Sequence, residues 1–412
     1  MVKESLPNTS EPTRFTTRFV WVSAALTFVT ASYVALRIYG PSVRPDELGF
    51  LINGQLLIGR DETPLSDAFR SFYPIGFSFV TALAALIGRT MSREFRIALF
   101  FNFAFVALTA HFLSLYTRKY FGLTRNYSRV IGIAVALMPL VAANALFAWS
   151  ESLNILGFTV LIYCAFNYCV DKSRSYAIAL ALIAPFLAVT HGRFTLVLPL
   201  TVLLLVIAPA VNKAFRASLL TTIGSVLLSA FTYFMLAKAN LWLRNELYLG
   251  AAGKEGRLKD KLFDTANWGN IVRALGGQNW YLFATSFGLV IVGALILLKL
   301  LTASERRSHP GLAVASLFTL GAIAIIELTS ALNLVKIIRP DHVVYGRYSG
   351  VVSPILVAIA LSALITAPQK TRSLWWKCIV LIPTLALFLV LLSRTDIMHQ
   401  LLKQGRFFAR PN

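Results

Sequence analysis

Stretches of about twenty apolar residues recur along this chain, and no other feature restricts its fold so sharply. A transmembrane helix needs ~20 mostly apolar residues, with a range of about 17–25. Eleven such runs start near Phe19, Ile97, Ile131, Leu153, Tyr176, Phe194, Ala217, Trp280, Leu312, Gly350 and Leu374. A twelfth and shorter one, residues 73–88, opens with Tyr73-Pro74-Ile75-Gly76 and closes at Gly88-Arg89. Over 412 residues, 57% are hydrophobic, 14% are charged and the mean hydropathy is +0.68. Soluble domains are roughly 45–50% apolar with about a quarter of their residues charged, and one soluble core stops growing near ~250–300 residues. A soluble globular enzyme, a disordered chain and a coiled coil are therefore excluded. The expectation is an all-α, polytopic transmembrane bundle of about eleven to twelve helices.

The charge balance orients that bundle. The formal net charge is +21, from 39 Lys and Arg against 18 Asp and Glu. In a soluble protein such an excess points to nucleic acid; in a membrane protein it points to basic cytoplasmic loops. We expect no nucleic-acid partner. The first run, from Phe19 to Ile38, is too long for a signal-peptide core and no A-x-A-like site follows. It is read as a retained helix after a cytoplasmic tail, residues 1–18. If 73–88 does not span, the inner loops 117–129, 170–175, 212–216, 303–311 and 368–377 hold thirteen basic residues. The short loops opposite hold Arg193, Lys336, Arg339 and Arg347. If it does span, the assignment inverts. The positive-inside rule favours the first arrangement, with 73–88 re-entrant or lying along the membrane surface.

Residues 19–393 then form the membrane domain, and 394–412 a C-terminal tail. The outward face carries a long first loop (41–96) with juxtamembrane helices, a second long loop (241–279), turns at Glu151 and at His191-Gly192-Arg193, and the segment 333–349. No repeat at a fixed period and no second soluble domain is expected. The three cysteines, Cys164, Cys169 and Cys378, lie in or beside apolar stretches without metal-type spacing, and are read as small core hydrophobes.

Scarce acid makes its placement informative. Five of the eighteen carboxylates, Asp46, Glu47, Asp61, Glu62 and Asp67, fall within residues 41–72. Asp61, Glu62 and Asp67 read as solvated or capping residues of that loop. Asp46-Glu47 sits just past the first helix, where a carboxylate is placed to take a proton from a substrate hydroxyl. Glu151 stands in another outer turn. Arg193 and the segment Arg339-Pro340-Asp341-His342-Val343-Val344-Tyr345-Gly346-Arg347-Tyr348 supply groups suited to phosphate, since a guanidinium donates two parallel hydrogen bonds. Arg193, His342, Arg347, Tyr348 and Tyr73 are the candidates for binding a phosphate-bearing substrate. Each lone arginine also reads as a headgroup anchor. Glu327, inside an apolar run, either lines the cavity or pairs with Lys336. Lys254–Lys261 and the aromatic stretch to Trp280 read equally as a solvated interfacial element or as a lid.

Three elements together resemble GT-C superfamily glycosyltransferases, the polytopic class that uses lipid-phosphate sugars. They are Asp46-Glu47 after the first helix, Tyr73-Pro74-Ile75-Gly76-Phe77, and Gly346-Arg347-Tyr348 before a late helix. Trp149-Ser150-Glu151-Ser152 in an outer turn is similar as well. The resemblance implies transfer of a sugar, with inversion, from a polyprenyl-phosphate donor to an extracytoplasmic acceptor: a cell-envelope glycan, a glycolipid or a protein. It implies Asp46 as general base with Glu47 as neighbour or support, Glu151 at the acceptor or a metal, and Arg347 and Tyr348 near the carrier phosphate. No cofactor is obligatory, although Mg or Mn is compatible at Glu151. Compactness points to a bacterial cell membrane. The chain departs from larger relatives in lacking a soluble C-terminal domain, and from some subfamilies in lacking an aromatic after Asp46-Glu47-Leu48. Two other readings stay open: a transporter or flippase of lipid-linked sugars, and a non-catalytic assembly subunit.

Overall fold

A computed structural model describes residues 45–60, 73–171, 173–211, 219–248, 258–335 and 346–367, with isolated positions between Val22 and Pro41. Helix is the regular structure throughout, and the described residues contain no strand. We number the main helices α1 (Pro45–Leu57), α2 (Ile75–Gly88), α3 (Met91–Phe121), α4 (Arg125–Ala136), α5 (Glu151–Asp171) and α6 (Arg174–Thr190). They continue as α7 (Val197–Val211), α8 (Leu219–Tyr248), α9 (Trp268–Thr285), α10 (Leu289–Lys299), α11 (Pro310–Asn333) and α12 (Ser353–Thr366). Short helical turns fill the connections, among them Pro139–Ala142, Gly192–Phe194 and Gly346–Ser349.

Among the described residues, six helices are long and apolar enough to cross a membrane, or up to eight if two bent pairs each count as one span. The surface agrees with the lengths. Leu220, Phe231, Leu317 and Phe100 present large apolar side chains outward. Such an extended apolar exterior on helices of spanning length fits a lipid surround. The protein is thus built as a multi-pass membrane protein. The expected runs near Phe19 and Leu374 lie largely or wholly outside the described residues, as do Cys378, Lys336, His342, Lys254 and the C-terminal tail.

Helix α5 is the centre of the bundle. It packs against α3, α6 and α11, and most of its length is buried. Phe158, Leu161, Ile162, Ala165 and Phe166 from α5 meet Leu113, Phe194, Phe318 and Ile355 in one continuous core. Around it, α6 packs on α8, α11 on α7, and α12 on α3 and α4. Backbones approach closely where glycine removes the side chain. A Cβ on Gly132 of α4 would lie 2.2 Å from the Ala110 carbonyl oxygen of α3.

Two runs read from sequence as single spans are broken. The run near Ile131 ends as α4 at Ala136 and turns by 60° into residues 139–146. Pro139 opens the new turn; it lacks the N–H that would have continued the helix. The run near Trp280 bends by 103° between α9 and α10, where Phe287 and Gly288 have φ of 52° and 76°. That left-handed corner suits glycine. Residues 241–279, expected as a loop, are helical at both ends through α8 and α9. Residues 73–88 carry α2 of 14 residues, about 21 Å at 1.5 Å per residue against a hydrocarbon core of ~30 Å.

Candidate functional site

Asp46 begins the first turn of α1, where a carboxylate meets the positive end of the helix dipole. Its side chain is 30% exposed. The Tyr73 hydroxyl donates to Asp46 Oδ1 at 3.2 Å, and Arg347 Nη1 donates to Oδ2. Tyr73 is itself fixed from two sides. Asn53 Nδ2 donates to its carbonyl at 2.8 Å, and its ring packs on Phe50 with centroids 5.1 Å apart. Gly49 makes room for it, since a Cβ there would sit 2.1 Å from the ring. The first turn of α2 after Pro74 is held by Asn240 of α8, whose Oδ1 accepts from the Ile75 N–H at 3.0 Å.

Arg347 links this carboxylate to the bundle core. Its Nε donates to Glu151 Oε1 at 2.9 Å, and its guanidinium lies 3.8 Å from the centroid of the Trp149 ring. Glu151, at the start of α5, is buried, and its other oxygen accepts from Arg193 Nη2. Arg193 is among the largest fully buried side chains in the molecule. Its Nη1 donates to the Tyr348 carbonyl at 2.6 Å, and its own carbonyl accepts from the Thr329 hydroxyl of α11 at 3.2 Å. The chain Asp46–Arg347–Glu151–Arg193 therefore alternates in charge and joins four separate segments. A buried ion pair persists only where its remaining hydrogen bonds are met, and here backbone carbonyls and an aromatic face meet most of them.

His191 packs against Tyr348 with the rings tilted by 59° and centroids 5.2 Å apart, and its Nδ1 accepts from the Arg193 N–H at 3.3 Å. Burial, then the charges of Arg193 and Arg347, holds its pKa well below the usual histidine value. Both the burial and the two guanidiniums disfavour the charged ring, and its Nδ1 faces a donor.

Of the residues singled out from sequence, Asp46, Tyr73, Glu151, Arg193, Arg347 and Tyr348 come together. Glu47 does not join the open side of the cluster. It is fully buried, and its Oε1 accepts from the Ala148 N–H at 2.9 Å, which ties α1 to the turn carrying Trp149. Its part is positioning. Glu151 offers no open metal face here, since each oxygen accepts from an arginine. Among the described residues no three His, Cys, Asp or Glu side chains group as metal ligands. His342 lies outside the described residues.

Some of the site was not legible beforehand. Trp149 stood out only as part of a motif, not as the platform for Arg347. Asn102 of α3 escaped notice; its side chain donates to the Phe147 carbonyl at 2.6 Å and holds that turn. A second ion pair was missed too: Arg60 meets buried Glu94 at 2.9 Å, and Gln55 donates to the same carboxylate. Glu327 of α11 is buried, and its oxygens make no hydrogen bond among the described residues.

No protein-family model matches this chain, and no curated protein matches it either.

Proposed function

We propose that the chain is an integral membrane glycosyltransferase of GT-C type, using a polyprenyl-phosphate sugar as donor. One observation carries the reading: Asp46, Arg347 and Glu151 converge at one end of the bundle, and Asp46 is the partly exposed carboxylate of the group. An accessible carboxylate beside a guanidinium supplies the two groups that transfer from a lipid phosphate needs. One is a base for the acceptor, and the other a cation for the charge growing on the phosphate.

In the proposed reaction the acceptor hydroxyl gives its proton to Asp46 and its oxygen bonds to the anomeric carbon. The bond from that carbon to the phosphate oxygen breaks, and the electron pair leaves with the polyprenyl phosphate. Attack opposite the leaving group inverts the configuration. Arg347 is the exchangeable partner. A donor phosphate that draws its Nη1 away stabilises the leaving group and releases Asp46 to act as base. Tyr73 stays on Asp46 and aims it, while buried Arg193 holds Glu151 and the Tyr348 carbonyl in place. Neutral His191 and Tyr348 form an aromatic wall beside the cluster. The acceptor is a cell-envelope glycan, lipid or protein at the extracytoplasmic face of a bacterial membrane; any Mg or Mn would be an auxiliary.

The test is transfer from a panel of radiolabelled polyprenyl-phosphate sugars by purified protein. Asp46→Asn is expected to lower turnover by about 10²–10⁴-fold, the usual contribution of a general base, with unchanged expression and melting. Full activity in that variant sinks the assignment. A second reading, a gate in a flippase of lipid-linked sugars, draws on one feature. Two carboxylates and two guanidiniums balance in a closed cluster, as a gate would require. Movement of the labelled lipid across vesicles without its consumption favours that reading.

A further inference from the structure

A second feature lies at the opposite end of the bundle. Helix α5 runs from Glu151 in the ion-pair cluster to Asp171, which pairs with Lys119 of α3. Twenty residues at 1.5 Å each separate these ends by about 30 Å, the thickness of a bilayer's hydrocarbon core. A cavity of about 1120 Å³ lies between α3, α4 and the side chains of Ala25 and Leu26, and reaches the Lys119 end of α3. Small-molecule sites occupy about 300–1,000 Å³. Its walls are mostly apolar, with Ala104, Ala107 and Ala110 of α3 leaving the space and Ala25 and Leu26 closing one side. Along α3 it extends from Phe100 to Arg118, about 27 Å.

The polar end of the groove is cationic. Arg118 comes from α3, and Arg125 and Arg129 stand four residues apart on one face of α4. Lys119 has Asp171 as counter-ion, but none of these three arginines pairs with a carboxylate among the described residues. The first turn of α4 holds no acid either, and although the Thr124 hydroxyl caps the Tyr127 N–H, the helix dipole adds to the positive field. Ser128 lines the same cavity; it is 1% exposed and its Oγ has no hydrogen-bond partner among the described residues.

We propose that this groove binds an anionic glycerophospholipid as a resident ligand. Its phosphate sits on Arg118, Arg125, Arg129 and the Ser128 hydroxyl, and its acyl chains lie along α3. A long apolar trough matches a molecule with one phosphate and a long tail, since it ends in three guanidiniums without a carboxylate partner and a buried hydroxyl without a hydrogen-bond partner among the described residues. The membrane leaflet at that end supplies such molecules directly. The cationic end of the groove, at Arg118, is about 24 Å along α3 from Asn102, which marks the level of the ion-pair cluster. The proposal holds whether or not the chain transfers sugar.

The experiment uses full-length protein in detergent, incubated with dioleoyl-phosphatidylglycerol or dioleoyl-phosphatidylcholine and read for bound lipid by native mass spectrometry. Phosphatidylglycerol is expected to be retained at least about tenfold more, since arginines near the membrane surface favour an anionic headgroup over a zwitterionic one. The combined Arg118→Gln, Arg125→Gln and Arg129→Gln variant is expected to bring the two lipids to parity. Ala107→Trp, at an exposed position that fills the trough, is expected to lower retention of phosphatidylglycerol without changing the melting temperature. Equal retention in the wild type, or a preference that survives the three substitutions, overturns the headgroup site. Unchanged retention in Ala107→Trp overturns the tail site. Displacement of phosphatidylglycerol by inorganic phosphate assigns the arginines to a soluble anion instead. Displacement by equimolar polyprenyl phosphate assigns the groove to the donor lipid. Either result overturns the proposal.

Discussion

Glu151 holds both arginines of the cluster, so its side chain decides more than any other single residue. Its two oxygens accept from Arg193 and from Arg347. With Glu151→Gln the shape remains but the charge is gone, and fully buried Arg193 is left without a counter-ion. Breaking one partner of a buried pair costs about 3–5 kcal/mol, because the other charge stays buried. We expect Glu151→Gln to lower stability by on the order of 3 kcal/mol, read as a fall in melting temperature of the purified protein. A melting temperature equal to wild type would mean that Arg193 finds other compensation. Asp46 differs in kind. It is partly exposed, so its replacement is felt in activity and little in stability.

At the scale of elements, the site depends on how short helices are set against long ones. Helix α1 presents Asp46 outward and Glu47 inward from adjacent positions, because successive residues of a helix point about 100° apart. Glu47 thereby anchors α1 to the Trp149 turn while Asp46 stays accessible. Tyr73 reaches Asp46 only because Gly49 leaves space for its ring. Gly49→Ala forces the ring to move and is expected to cost about 1–3 kcal/mol, the range for overpacking. It should also weaken donor use in the same direction as Tyr73→Phe. Melting curves and transfer assays on both variants check this. A Gly49→Ala protein with wild-type stability and turnover would show that the ring is free to shift. The breaks at Pro139 and Gly288 act at this scale as well, since each turns an apolar run that a hydropathy reading treats as straight.

At the scale of the whole molecule, the chain is polar in charge. The balanced cluster of Asp46, Arg347, Glu151 and Arg193 occupies one end of α5, and an excess of base, Arg118, Arg125 and Arg129 beside the Lys119–Asp171 pair, occupies the other. Thr90 is exposed before α3 at the cluster end. Ser304 is exposed between α10 and α11, at the end where Gly311 meets the Cys169 carbonyl. In a cysteine-free background, a membrane-impermeant maleimide applied to intact cells should label Thr90→Cys. It should leave Ser304→Cys unlabelled until the cells are opened. The reverse pattern would invert the orientation expected from the basic loops. Labelling of both in intact cells would place the two positions on one side and refute the bundle's long axis as the membrane normal.

The sequence alone determined the class of the protein and the polarity of its charge. Hydropathy is a local and nearly additive property, so runs of twenty apolar residues such as 153–171 and 312–333 announce spans without knowledge of their neighbours. It also picked out Asp46, Glu151, Arg193 and Arg347, because charge beside apolar runs is expensive and therefore rare. Which charge meets which was decided only by the tertiary structure. Arg193 and Glu151 are 42 positions apart, Arg347 and Glu151 are 196, and Arg347 and Asp46 are 301. No local pattern encodes contacts across such separations. They exist because α5 packs at the centre of the bundle, and that packing brings the ends of the surrounding segments to its first turn. The inward turn of Glu47, the platform of Trp149 and the groove beneath three arginines have the same origin. Each depends on where a neighbouring helix lies, and helix placement follows from the fit of whole surfaces rather than from any residue's own propensity.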